Sequence, residues 1–216
     1  MLPEPSPHAL LRIGAAGALR AAEAAPPWVG AQLACAPWVV ARRERCRDGL
    51  LPVGVRGRTR AERFAAWLDP AAVLECVTPA QLAARRGWRL HPRRAEVAAL
   101  AALDAVEAIM AGAQLAGCWG PAGSVAFELV SGCATTGPAS DLDLVVLTDE
   151  PLAAARAARL VGQLAALTAR VDVQLETPQG ALSLGEYVRA RAPFLLRTAD
   201  GPRLSAAPWA PAGAGA

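Results

Sequence analysis

The pattern of apolar and polar positions predicts short elements in the first half of the chain and longer ones in the second half, and His91-Pro92 is the natural boundary between them. Prolines interrupt the first half at short intervals, at Pro26, Pro27, Pro37, Pro52, Pro70 and Pro79. Between these breaks the pattern predicts short strands over residues 38–41 and 50–55 and short helices over 59–68 and 79–86. We therefore expect residues 1–92 to form a smaller, irregular α/β domain.

From Arg93 onward the chain alternates between longer helical and strand-like patterns. The predicted elements are a helix over 94–110, a strand over 115–119, a Gly-Ser turn, a strand over 141–147, a helix over 151–169, a strand over 171–176 and a helix over 184–191. Alternation of this kind builds a mixed sheet with helices packed on it. We expect residues 93–216 to form this second domain, which makes the protein a member of the α+β class.

The composition indicates a soluble globular protein, because 54% of the 216 residues are hydrophobic and 19% are charged. Apolar stretches are interrupted by Arg, Asp or Pro well before the ~20 residues that a membrane-spanning helix needs. The first residues lack the basic segment followed by an apolar one that is typical of a secretory signal. These observations predict a cytoplasmic protein with no membrane partner.

Cysteine, histidine and lysine usage narrows the possible chemistry. The five cysteines are an odd number without a CxxC pair, and the two histidines are far apart, which argues against a disulfide framework and against a zinc site. All 22 basic residues are arginine, so neither a Schiff-base lysine nor a P-loop lysine is available. The net charge of +3 is mild, and we predict no nucleic-acid partner.

Two aspartates lie close together in the predicted strand Ser140-Asp-Leu-Asp-Leu144. Residues i and i+2 of a strand face the same way, so Asp141 and Asp143 converge while Leu142 and Leu144 face the other side. Two carboxylates side by side repel each other, and a divalent metal ion is the expected compensation. Any such metal must be held by oxygen ligands.

Asp172 and the turn Gly123-Ser124 strengthen this interpretation. Asp172 lies between Val171 and Val173, where we expect it to be buried and an unpaired carboxylate to be unfavourable. Gly123-Ser124 lies where a strand leads into a helix, so its N–H groups and the serine hydroxyl can hold a phosphate. The simpler alternatives are a serine N-cap after a tight turn and a strand end that meets solvent. Taken together, the residues predict metal-assisted phosphoryl or nucleotidyl chemistry.

A Gly-Ser pair followed by Asp-x-Asp and a later acidic strand residue resembles the motif of the nucleotidyltransferase superfamily. The resemblance implies a nucleotidyltransferase-like fold for the second domain. It also implies that Asp141, Asp143 and Asp172 are the catalytic carboxylates and bind Mg²⁺. Gly123 and Ser124 would hold the phosphates of the incoming substrate.

The wider sequence resembles one family more specifically, the phosphoribosyl-dephospho-coenzyme A transferases that act as holo-acyl-carrier-protein synthases of malonate decarboxylase. The resemblance extends from about residue 8 to residue 209 and includes Leu51-Pro-Val-Gly-Val-Arg-Gly57, Trp119-Gly-Pro-Ala-Gly-Ser124 and Arg170-Val-Asp-Val-Gln-Leu-Glu176. It implies transfer of 2′-(5″-triphosphoribosyl)-3′-dephospho-coenzyme A to a serine of the apo acyl-carrier subunit of malonate decarboxylase, with release of pyrophosphate. The implied partners are that substrate and that carrier subunit, and the first domain would bind them.

Three arginines in Val55-Arg-Gly-Arg-Thr-Arg60 follow a predicted strand in the first half. Arg56, Arg58 and Arg60 are candidates to bind the substrate phosphates, because guanidinium groups pair well with phosphate and the intervening glycine lets the backbone approach a ligand. The alternative is a solvated basic turn in a protein that lacks lysine.

Two other functions remain open from the sequence alone. One is a Mg²⁺-dependent nucleotidyltransferase that acts on a small molecule or on another protein. The other is a non-catalytic nucleotide sensor on the same fold, which the three mutually repelling carboxylates argue against.

Overall fold

The structure is a computed structural model that describes residues 4–14, 18–59 and 61–211. It divides into two compact units. The first comprises the residues up to Thr78 together with Phe127–Thr135, and the second comprises Pro79–Ala126 and the residues from Thr136 onward. The first unit therefore recruits a short segment from the second half of the chain.

The first unit contains a six-stranded sheet in the order β2-β5-β4-β3-β1-β6. Its strands are β1 (Leu10–Ile13), β2 (Leu19–Arg20), β3 (Trp38–Ala41), β4 (Leu51–Arg56), β5 (Arg63–Leu68) and β6 (Val73–Val77). All of its strand pairs are antiparallel. Helix α1 (Pro27–Cys35) adds the buried Val29 and Leu33, which are one turn apart, to an apolar core formed with the strands.

This sheet is more regular than the expected irregular α/β domain, because the prolines lie at the ends of elements. Pro27 is the first residue of α1, and Pro70 opens a short 3₁₀ turn. Pro52 lies within β4, but the ladder between β3 and β4 pairs only Val53 and Gly54 of that strand, so Pro52 lies beyond it.

The helix predicted over residues 59–68 is wrong, since residues 63–68 form strand β5. This strand pairs with β4 over its full length, from Arg56 opposite Arg63 to Leu51 opposite Leu68. The pairing buries Ala66 and Leu68 in the core. Tertiary pairing here overrides the helical preference of an Ala- and Arg-rich segment.

The second unit contains another six-stranded sheet, in the order β12-β11-β10-β9-β8-β7. Its strands are β7 (Trp119–Pro121), β8 (Leu142–Leu147), β9 (Val171–Thr177), β10 (Gly180–Ser183), β11 (Phe194–Thr198) and β12 (Gly201–Ser205). Strands β8 and β9 are parallel and the other neighbours are antiparallel, so the sheet is mixed. The predicted α+β class and mixed sheet are confirmed.

The part of the chain that forms the second sheet also contains helices. They are α2 (Pro79–Arg85), α3 (Ala98–Ala101), α4 (Leu103–Gly112), α5 (Gly123–Ser131), α6 (Ala154–Ala165) and α7 (Leu184–Arg189). Helix α6 packs against α4 and α7, and its buried residues Ala157, Leu160 and Leu164 repeat at helical spacing. From Phe127 onward, α5 groups with the first unit.

The N-terminal part of the first unit ends at Thr78, whereas the sequence pattern predicts a boundary after residue 92. The reason lies in α2, which packs on β7 of the second unit. A Cβ atom added to Gly120 of β7 would overlap the backbone of Pro79, so glycine permits this close approach.

Several element boundaries in the second half differ from the prediction, and two of the differences are large. The helix expected over 94–110 begins only at Ala98 and is divided at Ala102 into α3 and α4. Residues 115–118 form a turn, closed by the Cys118 N–H bond to the Leu115 carbonyl at 3.1 Å, so β7 begins at Trp119. In the part of the chain that the structure describes, no helix is long and apolar enough to cross a membrane.

Candidate active site

Asp143 and Asp172 are direct neighbours on the two parallel strands β8 and β9. Because adjacent strands lie about 4.8 Å apart and paired residues face the same way, their side chains emerge side by side. Leu142 and Leu144, which flank Asp143, are buried, while Asp143 itself is exposed. The face of β8 with Leu142 and Leu144 therefore forms core, and the opposite face meets solvent at Asp143.

Asp141 lies just before β8, two residues ahead of Asp143, and is half-buried. The ladder begins directly after it, where the Leu142 N–H donates to the Arg170 carbonyl at 2.8 Å. Across residues 4–14, 18–59 and 61–211, no group of three or more His, Cys, Asp and Glu side chains is arranged to hold a metal ion. The structure thus pairs Asp143 with Asp172 and leaves Asp141 at the start of the strand.

Gly123 lies directly against the carboxylate of Asp143. The Ala122 N–H donates to the Asp143 carbonyl at 2.8 Å, which fixes the turn between β7 and α5 against β8. Gly123 has a φ of +59°, and a Cβ atom there would overlap the Oδ2 atom of Asp143. Both the backbone conformation and the space require glycine at this position.

Ser124 follows Gly123 in the first turn of α5. The first N–H groups of a helix have no partner within the helix, and the helix dipole is positive at this end. An anion is therefore favoured near Gly123 and Ser124.

Asp172 is not buried, contrary to the prediction, since its side chain is 54% exposed. Its neighbours Val171 and Val173 are themselves only half-buried, so the apolar run does not mark a buried stretch. The Nη2 atom of Arg170 lies 3.3 Å from its Oδ2 atom. Arg170 was not anticipated, although its position two residues before Asp172 places it on the same face of the chain.

The predicted arginines belong to the first unit. Arg56 ends β4 and is half-buried, Arg58 is exposed, and Arg60 lies outside the described residues. Two hydrogen bonds reach Glu62 from this segment: the Gly57 N–H donates to its carbonyl at 3.0 Å, and the Thr59 N–H donates to its carboxylate at 2.8 Å. The Thr59 bond lowers the pKa of Glu62.

The arrangement has defined chemical capacities. The carboxylates of Asp143 and Asp172 offer hard oxygen ligands side by side, and Mg²⁺ in proteins is typically held by one or two carboxylates together with substrate phosphates. The start of α5 lies against one of these carboxylates and favours an anion. A phosphate-bearing substrate and Mg²⁺ both fit this edge of the sheet.

Two family models match the chain and together cover most of it. Residues 6–79 match the phosphoribosyl-dephospho-CoA transferase MdcG N-terminal domain, and residues 81–208 match the phosphoribosyl-dephospho-CoA transferase MdcG C-terminal domain. The two matches meet at residues 79–81, next to the boundary between the two structural units at Thr78 and Pro79.

Curated proteins show the same similarity. A phosphoribosyl-dephospho-CoA transferase of Azotobacter vinelandii is 39% identical over 206 residues, which cover 95% of this chain and 94% of the relative. Proteins of the same name from Pseudomonas putida strain GB-1 and Klebsiella pneumoniae are 39% and 36% identical, and each alignment covers 95% of this chain and 96% of the relative. No solved structure matches the chain.

Proposed function

The chain belongs to the phosphoribosyl-dephospho-CoA transferase family, and on this premise we propose that it loads an acyl-carrier protein with its prosthetic group. The substrate is 2′-(5″-triphosphoribosyl)-3′-dephospho-CoA, and the acceptor is a serine of the apo acyl-carrier subunit of malonate decarboxylase. The reaction type is nucleotidyl transfer, on a nucleotidyltransferase-like second unit.

The proposed reaction balances as a substitution at phosphorus. The oxygen of the carrier serine forms a new bond to the α-phosphorus of the triphosphate. The bond between the α-phosphorus and the oxygen that bridges to the β-phosphate breaks, and pyrophosphate leaves. The serine proton passes to a base, for which Asp172 is our candidate because it is exposed and lies beside Asp143.

Asp141, Asp143 and Asp172 are the residues that would hold Mg²⁺. The side-by-side placement of Asp143 and Asp172 supports this assignment, because two like charges in one place favour a bound cation. When bound, Mg²⁺ would supply neutralisation of the charge that develops on the leaving pyrophosphate. Arg170 offsets part of the charge of Asp172 before substrate arrives.

Phosphate binding is assigned to the remaining predicted residues. Gly123 and Ser124 present the start of α5 to the triphosphate and orient it toward the carboxylates. Arg56, Arg58 and Arg60 provide further cations for phosphate groups of the substrate, and the first unit serves substrate and carrier binding.

A single observation carries this proposal. Asp143 lies opposite Asp172 in a parallel register and at the same time against Gly123, where α5 begins. The groups that we propose for cation binding and for anion binding are thus adjacent, as transfer from a Mg²⁺-bound triphosphate requires.

The test is mass spectrometry of the intact carrier. The purified chain is mixed with Mg²⁺, the triphosphoribosyl-dephospho-CoA substrate and the apo carrier subunit, and a carrier with alanine at the acceptor serine serves as the control. We expect the mass of the normal carrier to rise by the prosthetic group and the mass of the control carrier to stay constant.

Two other results would overturn the proposal. If the carrier mass stays constant but the chain transfers a nucleotidyl group from ATP to another acceptor, the protein is a nucleotidyltransferase of different specificity. If nucleotide binds without any turnover, the protein is a sensor.

A further inference from the structure

Two cysteines from distant parts of the sequence meet in the first unit. The Sγ atoms of Cys35 and Cys133 lie 3.7 Å apart although the residues are 98 positions apart in the chain. A disulfide requires a distance of about 2.05 Å between the sulfurs, so a contraction of less than ~2 Å would join them.

Local hydrogen bonds hold both residues in place. Cys35 is the last residue of α1, and the N–H of the next residue, Ala36, donates to the Gln32 carbonyl at 2.8 Å. On the other side, Gly132 has a φ of +70°, and its N–H donates to the Glu128 carbonyl at 2.9 Å, which ends α5.

The backbone of Cys133 is anchored in the same way. Its N–H donates to the Ser131 hydroxyl at 3.2 Å, and that hydroxyl donates to the Phe127 carbonyl at 2.7 Å. The two sulfurs therefore lie close together because hydrogen bonds fix the backbone at the end of α1 and just after the end of α5.

The thiols are also accessible to small reagents. Cys35 is exposed and Cys133 is half-buried, and both line a cavity of about 480 Å³ with Trp28, Gln32 and Arg58. Burial, with a smaller effect of Cys35, raises the pKa of the Cys133 thiol. Because Cys35 is the more exposed of the two, its sulfur is the one that meets an incoming oxidant first.

We propose that Cys35 and Cys133 form a reversible intramolecular disulfide, which makes this pair a redox modification site. The oxidant is a low-molecular-weight disulfide such as oxidised glutathione. The Cys35 thiolate attacks one sulfur of that disulfide and expels one glutathione thiolate. The Cys133 thiolate then attacks the Cys35 sulfur and expels the second, so two protein thiols are oxidised and one disulfide is reduced to two thiols.

Disulfide formation would link the end of α1 covalently to the segment that follows α5. Because α5 is one continuous helix whose first residue is Gly123, the link constrains the helix that carries the proposed phosphate-binding turn. A single reversible pair is not the disulfide framework that the odd number of cysteines argues against.

Peptide mapping tests the proposal on the full chain. Cleavage after glutamate places each of the five cysteines in its own peptide, with Cys35 in residues 24–44 and Cys133 in residues 129–150. The reduced protein is equilibrated at low concentration in glutathione buffers of increasing oxidised fraction, and the remaining thiols are blocked by alkylation before cleavage.

We expect one dominant cross-linked species, 24–44 joined to 129–150, that is two hydrogens lighter than its parts and disappears when reductant is restored. Its rate of formation should rise as the pH rises toward the raised pKa of Cys133. Cys35→Ser and Cys133→Ser should each abolish the link, whereas Cys46→Ser and Cys118→Ser, which remove other exposed thiols, should retain it.

Three results would overturn the inference. The first is a set of cross-links in which other cysteine pairs are as frequent as this one. The second is a glutathione adduct on Cys35 that persists and is not displaced by Cys133. The third is a pair that stays reduced in the fully oxidised buffer, and the wild-type protein alone suffices to observe each of them.

Discussion

Replacement of Gly123 by alanine tests the geometry of the candidate site most specifically. The added Cβ atom would overlap the Oδ2 atom of Asp143, while the next atoms of that side chain lie at 3.0 and 3.3 Å. Since the overlapping atom is the end of a rotatable side chain, we expect the carboxylate to turn away and leave its position. A displacement of this size at a catalytic group lowers the rate by about 100-fold.

The effect on stability has two parts that a matched control separates. A non-glycine residue at a φ of +59° costs about 1–2 kcal/mol in backbone conformation, and displacement of the carboxylate adds about 1 kcal/mol. Gly117→Ala is the control, because Gly117 has a φ of +78° but open space where its Cβ atom would lie. It should show the backbone part alone and retain transfer activity.

Urea unfolding and the carrier-loading assay measure these two parts. In a background of Asp143→Ala the additional ~1 kcal/mol should vanish, since the overlapping oxygen is gone. If Gly123→Ala matches Gly117→Ala in both stability and activity, the contact between Gly123 and the Asp143 carboxylate does not exist as described.

Three further predictions concern stability. Gly120→Ala should destabilise the protein by more than about 3 kcal/mol in urea unfolding, because the overlap is with the backbone of Pro79, which cannot rotate away; a cost of ~1 kcal/mol would contradict the close packing of α2 on β7. Asp104→Ala should cost about 1–3 kcal/mol at pH 7, because the indole N–H of the buried Trp88 donates to Asp104 at 3.0 Å and loses its acceptor. That bond lowers the pKa of Asp104. The difference in unfolding free energy between the wild type and Asp104→Ala should therefore be constant above the ordinary pKa of about 3.9 and should shrink as the pH falls through the lowered pKa of the folded protein. Unfolding curves from pH 7 to pH 2 check this direction. Asp172→Asn should change the unfolding free energy by less than about 1 kcal/mol, because its ion pair is exposed, and a larger loss would show a structural role.

Strand β8 was predictable from sequence because its pattern is simple. Leu142 and Leu144 alternate with the acidic residues, and alternation of period two predicts a strand with one buried face. The pairing of Asp143 with Asp172 also depends on the parallel register of β8 and β9, which no local pattern specifies.

Other features lay beyond local patterns. Residues 63–68 contain good helix formers, and only the pairing with β4 makes them a strand. The exposure of Asp172 depends on which part of β9 the rest of the fold covers, and its valine neighbours gave a misleading signal.

The contact between Cys35 and Cys133 could not be predicted from local sequence patterns either. Cys35 and Cys133 meet because a segment from the second half of the chain returns to the first unit. The odd number of cysteines and the absence of a CxxC pair gave no sign of this contact, since no spacing rule connects residues that far apart.

Asp143 and Asp172 are the proposed catalytic pair of a carrier-loading transferase. The most direct measurement compares the rate of carrier loading by the wild type, Asp143→Asn, Asp172→Asn and Asp149→Asn. Asp149 is an exposed aspartate just after β8 and outside the proposed site. A catalytic role for this pair predicts a loss of at least about 100-fold for each of the first two variants, which corresponds to ~3 kcal/mol of transition-state stabilisation, and an unchanged rate for Asp149→Asn. A wild-type rate for Asp143→Asn or Asp172→Asn would contradict it.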